Sequence, residues 1–311
     1  MIQHTIDTPY IVGPVHCYSG LVAGEQVLFD TGPPTPEGER YLREHIDLAS
    51  LRHVIVTHCH IDHYGLAHWL EKNCEATIYL PYRDCLKIDQ HGRRMQGMYE
   101  LLFSLGFTRE HLSELKRIFE SGAVFPPSPK NFSVAESDLP ARLGITVHSC
   151  PGHSQSDLVY TAEDWAVTGD TLLRGIFQSP LLDVDLETGG RFNNYKAYCE
   201  SIVKLAGLKG RRILPGHREH ADIEETLLFY MEKLLIRVEQ LRPFRKEKNL
   251  LVLLDKLLGG RLQDSFLLFL KGSEAVFMQD LLDEPERLRN ALEEIGLFDR
   301  VAALFQSATS G

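Results

Sequence analysis

The segment HCHIDH at residues 58–63, which follows the apolar run at 54–56 after one threonine, limits what this chain can fold into more than any other feature. The apolar run is typical of a buried strand, and alternate residues of an extended segment point to the same side. His58 and His60 can therefore bind one ion, while Asp62 and His63 can turn towards a second ion as a helix begins. Imidazole and carboxylate groups suit zinc, iron or manganese. In the simpler alternative, these are polar residues at a helix start whose hydrogen bonds are made within the protein, with Asp62 as the helix cap.

Four further motifs carry the same residue types at other points in the chain. They are Phe29-Asp30-Thr31-Gly32, Pro151-Gly152-His153-Ser154, Thr168-Gly169-Asp170-Thr171 and Leu214-Pro215-Gly216-His217. Their types and order match the pattern of the metallo-β-lactamase-fold hydrolases, and the chain is similar to the glyoxalase II-like branch of that superfamily. The resemblance covers residues 29–217, and it is more specific for the fold than for the substrate.

The resemblance implies a fold, a metal site and roles for individual residues. The implied fold is an α/β αββα sandwich, with the site at one edge of two packed sheets. It implies two divalent ions, with zinc favoured over iron or manganese. The implied ligands are His58, His60 and His153 for one ion, Asp62, His63 and His217 for the other, and Asp170 between them. Asp62 is also the candidate catalytic residue, because it can orient the attacking water or pass on its proton, although a purely structural ligand role is equally open. Asp30 is expected to orient the ligands of the metal loop without binding an ion itself.

Hydrophobic spacing divides the chain into a strand-rich core and two helical regions. Core strands are predicted as a pair within residues 9–30, then at 53–57, 76–80, 142–149, 157–161, 165–168 and 212–214. Residues 82–121 are predicted to form a helical insertion over the site, with a break at Gly106-Phe107-Thr108 and Thr108 as a helix N-cap. After residue 221 only helical patterns remain, at 227–241, 249–258, 262–271, 276–282 and 285–304. We therefore predict a catalytic domain at 1–220 and a helical C-terminal extension at 221–311.

Charge and composition exclude several classes of protein. The 33 Lys and Arg residues against 43 Asp and Glu residues give a net charge of −10, and no basic run stands out. A dedicated nucleic-acid binder is therefore disfavoured. Neither a signal peptide nor an apolar run of membrane-spanning length is present, which favours a cytoplasmic protein without membrane contacts. The six cysteines show no paired spacing, so reduced thiols are expected.

The leading functional hypothesis is a dinuclear hydrolase that directs a water shared by two metal ions at a small-molecule ester, thioester or lactone. Three alternatives remain open. They are a phosphodiesterase, an enzyme similar to the mononuclear iron persulfide dioxygenases, and a signalling or interaction protein with secondary hydrolase activity. The third resembles the quinolone-signal response thioesterase, which also has a helical C-terminal extension. Such an extension can form a homodimer interface or cover the pocket.

Candidate substrate contacts come from residues outside the motifs. Arg174 lies in the long loop at 172–192, which is expected to form part of the pocket rim. It can meet an anionic group of the substrate, although a solvated surface position is the favoured alternative. Tyr195 can donate a hydrogen bond to a substrate oxygen, or it can be a packing residue at a helix start. For His16 and His220, which lie near site motifs, a hydrogen-bonded structural role is favoured.

Overall fold

Ten strands form two β-sheets in the computed structural model, which describes residues 1–219, 222–261 and 263–310. The first sheet has the strand order β1-β2-β3-β4-β5-β6, and the second has the order β10-β9-β8-β7. Their bounds are β1 Ile2–Ile6, β2 Val15–Val22, β3 Glu25–Phe29, β4 Leu51–Ile55, β5 Thr77–Leu80, β6 Ser133–Val134, β7 Thr146–Ser149, β8 Leu158–Ala162, β9 Trp165–Gly169 and β10 Arg212–Pro215.

Parallel pairing brings the carboxyl ends of several strands to one edge. Strands β3, β4, β5 and β6 are parallel neighbours, and Phe29 pairs with Ile55 at the ends of β3 and β4. In the second sheet β9 and β10 are parallel, with Pro215 paired to Gly169. The loops that leave these paired ends therefore begin side by side. This edge is where a parallel sheet displays functional side chains.

The two sheets pack face to face through an apolar core. Phe29 of the first sheet lies with its ring centroid 5.6 Å from Tyr160 and 5.4 Å from Trp165, both of the second sheet. The buried Tyr160 hydroxyl donates a 2.7 Å hydrogen bond to the carbonyl oxygen of Val56. A buried phenol needs such a partner, and this one also joins the second sheet to the end of β4.

Helices cover both outer faces of the sheets, which confirms the predicted αββα sandwich. Leu42 and Leu70 pack on the first sheet, and Ile202 and Leu227 belong to the core on the other side. The helix bounds are α1 Pro36–His45, α2 Ile61–Tyr64, α3 Ala67–Asn73, α4 Tyr82–Asp89, α5 His91–Ser104, α6 Arg109–Glu120, α7 Ala135–Asp138, α8 Asn194–Ala206, α9 Ile223–Leu241, α10 Leu250–Leu258, α11 Ser265–Asp283, α12 Pro285–Glu294 and α13 Phe298–Thr309.

The helical insertion occupies the stretch that the sequence pattern indicates. Helices α4, α5 and α6 fill residues 82–120, and the chain turns between α5 and α6 at Gly106, whose φ is 102°. Thr108 caps α6 as predicted, since its hydroxyl accepts a hydrogen bond from the backbone N–H of His111. The domain boundary at residue 220 stays a prediction.

Two details of the C-terminal helices differ from the sequence prediction. Residue 262, where the predicted pattern at 262–271 begins, lies outside the described residues, and from Ser265 this pattern and the one at 276–282 form a single helix, α11. Gly272 stands inside that helix where a Cβ atom would lie 2.6 Å from Leu250 Cδ2. The pattern at 285–304 forms two helices instead of one. Gly296 separates them with a φ of 73°, and the N–H of Leu297 bonds back to the carbonyl of Leu292 in the manner of a Schellman motif. Within the described residues, no helix has the length and hydropathy that a membrane crossing requires.

We expect Tyr195→Phe to lower the free energy of unfolding by about 1–3 kcal/mol. The Tyr195 hydroxyl donates to the carbonyl of Glu284 (2.9 Å) and accepts from the N–H of Leu288 (3.1 Å), so its removal strands two polar groups where α8 meets α12. Urea unfolding measures the change. Tyr82→Phe is the control because Tyr82 is 41% exposed. Equal, small effects of the two substitutions would contradict this account.

Candidate metal centre

The predicted ligands lie in loops that follow strand ends. His58 and His60 come directly after β4, and the short helix α2 then carries Asp62 and His63. The backbone carbonyl of Thr57 accepts a 2.9 Å hydrogen bond from Leu158 at the start of β8, which ties this loop to the second sheet. The loop is therefore held by both sheets before any ion binds.

Three imidazoles converge to form the first group. His60 Nδ1 lies 3.0 Å from Nε2 of His58 and 3.0 Å from Nε2 of His153. Burial lowers the pKa of His58 well below its usual value and lowers the pKa of His60 to about 3. These rings are therefore neutral, which is the form in which imidazole binds a metal ion.

The second group combines carboxylates with two fully buried histidines. His217 Nε2 lies 3.2 Å from Asp62 Oδ2, and His63 Nε2 lies 3.2 Å from Asp170 Oδ1. Burial acts to lower the pKa of His63, but the carboxylates of Asp170, Asp62 and Asp30 raise it well above its usual value. Bound cations would replace the protons that balance this negative charge.

Asp170 lies between the two groups and faces both. Its Oδ1 is 3.2 Å from His63 Nε2 and 3.6 Å from His217 Nε2, while its Oδ2 is 3.7 Å from His153 Nε2. Burial acts to raise the pKa of Asp170, but His217 and His63 hold it well below its usual value. The carboxylate is thus ionised and offers one oxygen to each group.

Backbone carbonyls fix the tautomer of two of these histidines. His153 Nδ1 lies 2.8 Å from the carbonyl oxygen of Ser179, and His217 Nδ1 lies 2.7 Å from that of Pro14. A carbonyl can only accept, so each Nδ1 carries a proton, and Nε2 is the ring nitrogen that faces the centre and would bind an ion.

Asp30 orients two further histidines, His63 directly and His58 through Thr57. Its Oδ2 accepts hydrogen bonds from His63 Nδ1 (2.8 Å) and the Thr57 hydroxyl (2.9 Å), and Thr57 Oγ1 in turn lies 3.1 Å from His58 Nδ1. Its Oδ1 accepts from the Thr57 N–H at 2.8 Å. Asp30 adopts a left-handed backbone with φ of 57°, a strained conformation that is often found at functional sites.

The donor atoms fit divalent cations. His63 Nε2, His217 Nε2 and Asp170 Oδ1 are buried, and their contacts of 3.2–3.6 Å with one another and with Asp62 do not have hydrogen-bond geometry, so these atoms are available to an ion. A Cβ atom on Gly216 would lie 2.5 Å from His63 Cε1 and 2.7 Å from Asp170 Oδ1, so a glycine is needed beside them. A mixed nitrogen and oxygen set of this kind suits zinc, iron or manganese.

A cavity of 690 Å³ opens onto these groups. Its polar end contains His60, Asp62, His153 and Asp170, and much of the remaining wall comes from the helical insertion, the segment at 122–128, the loop at 172–192 and α11. The insertion thus lies over the site as the sequence pattern predicts, and the C-terminal helices contribute to the cover. Tyr10 also lines the cavity, but it lies in a segment that carries no recognisable motif.

Sequence reasoning missed a buried ionic network beside the site. Lys87 Nζ lies 2.7 Å from Asp84 Oδ1, and Arg94 forms two hydrogen bonds of 3.0 and 2.9 Å with Asp183. Asp84 Oδ2 also accepts from the N–H of Cys59 at 2.8 Å, which connects the network to the metal loop. The spacing of Asp84 and Lys87 on a predicted helix was the available signal, but their burial depends on tertiary packing.

Neither Tyr195 nor Arg174 is among the residues that line the cavity, and a contact of either side chain with a substrate stays a prediction. The Tyr195 hydroxyl is buried against α12, where Glu284 and Leu288 satisfy it. The Arg174 side chain is 63% exposed and lies 3.2 Å from Glu219. His16 Nε2 bonds to the carbonyl of Arg218 at 2.7 Å, in keeping with the favoured structural role. His220 lies outside the described residues.

Known proteins share this sequence pattern and this fold. The family described as the metallo-beta-lactamase superfamily matches residues 12–217. The chain is 28% identical over 263 residues to the probable metallo-hydrolase YqjP of Bacillus subtilis (strain 168), a match that covers 80% of this chain and 81% of that protein. It is also similar to the crystal structure of a metallo-beta-lactamase family protein from Thermus thermophilus, with a TM-score of 0.72, 21% identity and coverage of 91% and 93%. A beta-lactamase domain protein from Burkholderia ambifaria gives a TM-score of 0.72, 18% identity and coverage of 90% and 86%.

We expect Asp30→Asn to weaken metal binding by roughly 10–100-fold. Asparagine tolerates the left-handed backbone, but its amide offers a single acceptor oxygen, whereas the carboxylate accepts from Thr57 and His63 together. Competition with a chromophoric chelator measures the affinity. Asp47→Asn is the matched control, because Asp47 is an exposed turn residue. Equal affinities in the two variants would show that Asp30 does not support the ligands.

Proposed function

This chain belongs to the metallo-β-lactamase superfamily and is a metal-dependent hydrolase, and we propose that it uses two divalent ions to hydrolyse an ester, a thioester or a lactone. The position of Asp170 carries the dinuclear part of the proposal. One of its oxygens faces His63 and His217, and the other faces His153. A single carboxylate in that position can join two ions that would otherwise repel each other.

The ligand assignment follows the two groups of side chains. In the proposal, His58, His60 and His153 bind one ion, Asp62, His63 and His217 bind the other, and Asp170 contacts both. Zinc is favoured, and iron and manganese suit the same donors. Two such ions would lower the pKa of a bound water and polarise the oxygen of the scissile carbonyl.

Asp62 is the residue proposed to handle the proton. Its carboxylate lines the cavity and is 8% exposed, so a substrate and a water can reach it. Burial acts to raise the pKa of Asp62, but His63 and His217 lower it, which keeps the carboxylate ionised. Asp62 can therefore accept a proton from the attacking water and donate it to the leaving oxygen or sulfur.

The charges in the cavity favour a carbonyl substrate over a phosphodiester. Among the described Lys and Arg residues, Lys87 and Arg94 are the ones that line the cavity, and each is paired with a buried carboxylate. Neither is free to neutralise a phosphate group. A small-molecule substrate and a cytoplasmic location belong to the same proposal, and a homodimer through the C-terminal helices stays a prediction.

We expect Asp170→Asn to lose bound metal and to lower kcat/KM by more than the roughly 10–100-fold that loss of an outer hydrogen-bond partner costs. The amide removes the negative charge between the two groups and replaces one donor oxygen with an N–H group. The assay is hydrolysis of a panel of acyl thioesters, lactones and p-nitrophenyl esters, with metal content measured on the same samples.

Asp164→Asn is the control for this experiment, because Asp164 is exposed in the turn before β9. It should keep both the metal and the activity of the unchanged protein. Full metal content and full activity in Asp170→Asn would overturn the bridging assignment.

A further inference from the structure

Part of the cavity lining is an apolar wall formed by side chains other than the candidate ligands. We use this name for Met95 and Met98 of α5, Phe119 of α6, Leu182 of the long loop, and Phe269 and Leu270 of α11. Phe119 and Phe269 pack edge to face at 6.1 Å between ring centroids, so the insertion and the C-terminal helix contact each other here. The wall thus joins three segments that are far apart in the sequence.

Part of the wall comes from beyond the family match. The matched region ends at residue 217, whereas Phe269 and Leu270 belong to α11. The candidate ligands belong to the matched region, whereas α11, which lies beyond it, completes the lining of the cavity. A part of the cavity that can contact a substrate is therefore supplied from outside the matched region.

The charged groups beside the wall do not attract an anionic substrate. Lys87 forms an ion pair with Asp84, and the Arg94 guanidinium donates two hydrogen bonds to the carboxylate of Asp183. Glu120 also lines the cavity, and its exposed carboxylate lies 3.7 Å from the exposed Lys116 ammonium group. An anionic tail on the substrate would meet paired cations and this carboxylate, whereas an uncharged tail loses nothing.

We propose that the substrate carries an uncharged, apolar chain that packs against the apolar wall while its scissile bond lies beside the histidines and aspartates of the candidate metal centre. This proposal rests on the proposed hydrolase function for the identity of the reacting group. The cavity volume of 690 Å³ falls within the roughly 300–1,000 Å³ of small-molecule sites. Each methylene group buried on the wall should improve binding about fourfold.

The test separates the chain-binding site from the reaction. Isothermal titration calorimetry on the metal-loaded full-length protein measures Kd for straight-chain primary alcohols from butanol to decanol, which carry no bond to hydrolyse. Hydrolysis of p-nitrophenyl esters with the same range of acyl chains is measured in parallel. Leu270→Trp fills the cavity from a partly buried position, and Leu267→Trp makes the same change on the same helix outside the cavity lining.

We expect Kd to fall about fourfold per methylene in the unchanged protein and in Leu267→Trp. In Leu270→Trp the fall should stop at a shorter chain, and decanol should bind at least about tenfold more weakly. A second variant, Met95→Gln, keeps the volume of the side chain and should reduce the fold-change per methylene. Kd values of the unchanged protein that do not change with chain length would overturn the proposal. The same fall of Kd with chain length in Leu270→Trp as in the unchanged protein would also overturn it.

The two proposals can fail independently. Alcohols that bind more tightly with chain length, without hydrolysis of any ester, would support the apolar site and count against the hydrolase substrate class. Ester hydrolysis with no dependence on chain length would support the substrate class and overturn the apolar site.

Discussion

The hydrogen bonds of the Asp30 carboxylate join the end of one parallel strand to the loop that follows its neighbour, and the candidate metal centre depends on them. Through Thr57 and His63 this carboxylate orients side chains of both ligand groups. The left-handed backbone of Asp30 aims the carboxylate at that loop, and the pairing of Phe29 with Ile55 sets the distance between the two strand ends. A strained conformation is kept here because three hydrogen-bond donors require the carboxylate in one place.

The centre also concentrates buried charge that bound cations would balance in place of protons. Buried carboxylates and imidazoles crowd one space, and three of their polar atoms lack a hydrogen-bond partner among the described residues. Metal binding would satisfy these atoms, so part of its free energy would appear as stability of the folded chain. The same crowding explains the glycine at position 216, because His63 and Asp170 approach its backbone so closely that no side chain fits there.

How far the sequence predicted the structure depended on whether the signal was local. The loop at 57–65 follows an apolar strand and carries its ligands at fixed spacing, so it was recognisable, and the sandwich followed from the superfamily resemblance. The short strand Ser133–Val134 was missed because two residues show no alternation. Helix α11 was divided at Gly272 because the close packing of Leu250 that requires a glycine there is a tertiary contact. The partners of the Tyr195 hydroxyl were missed for the same reason, since they lie 89 and 93 residues away in the sequence.

The metal content of the untagged protein, purified without chelator or added metal and measured by plasma mass spectrometry, tests the central claim most directly. The account predicts close to two zinc, iron or manganese ions per chain, as in other two-metal sites. One iron per chain would contradict the dinuclear assignment and favour a redox enzyme. No metal, even after reconstitution, would contradict a metal-dependent hydrolase altogether.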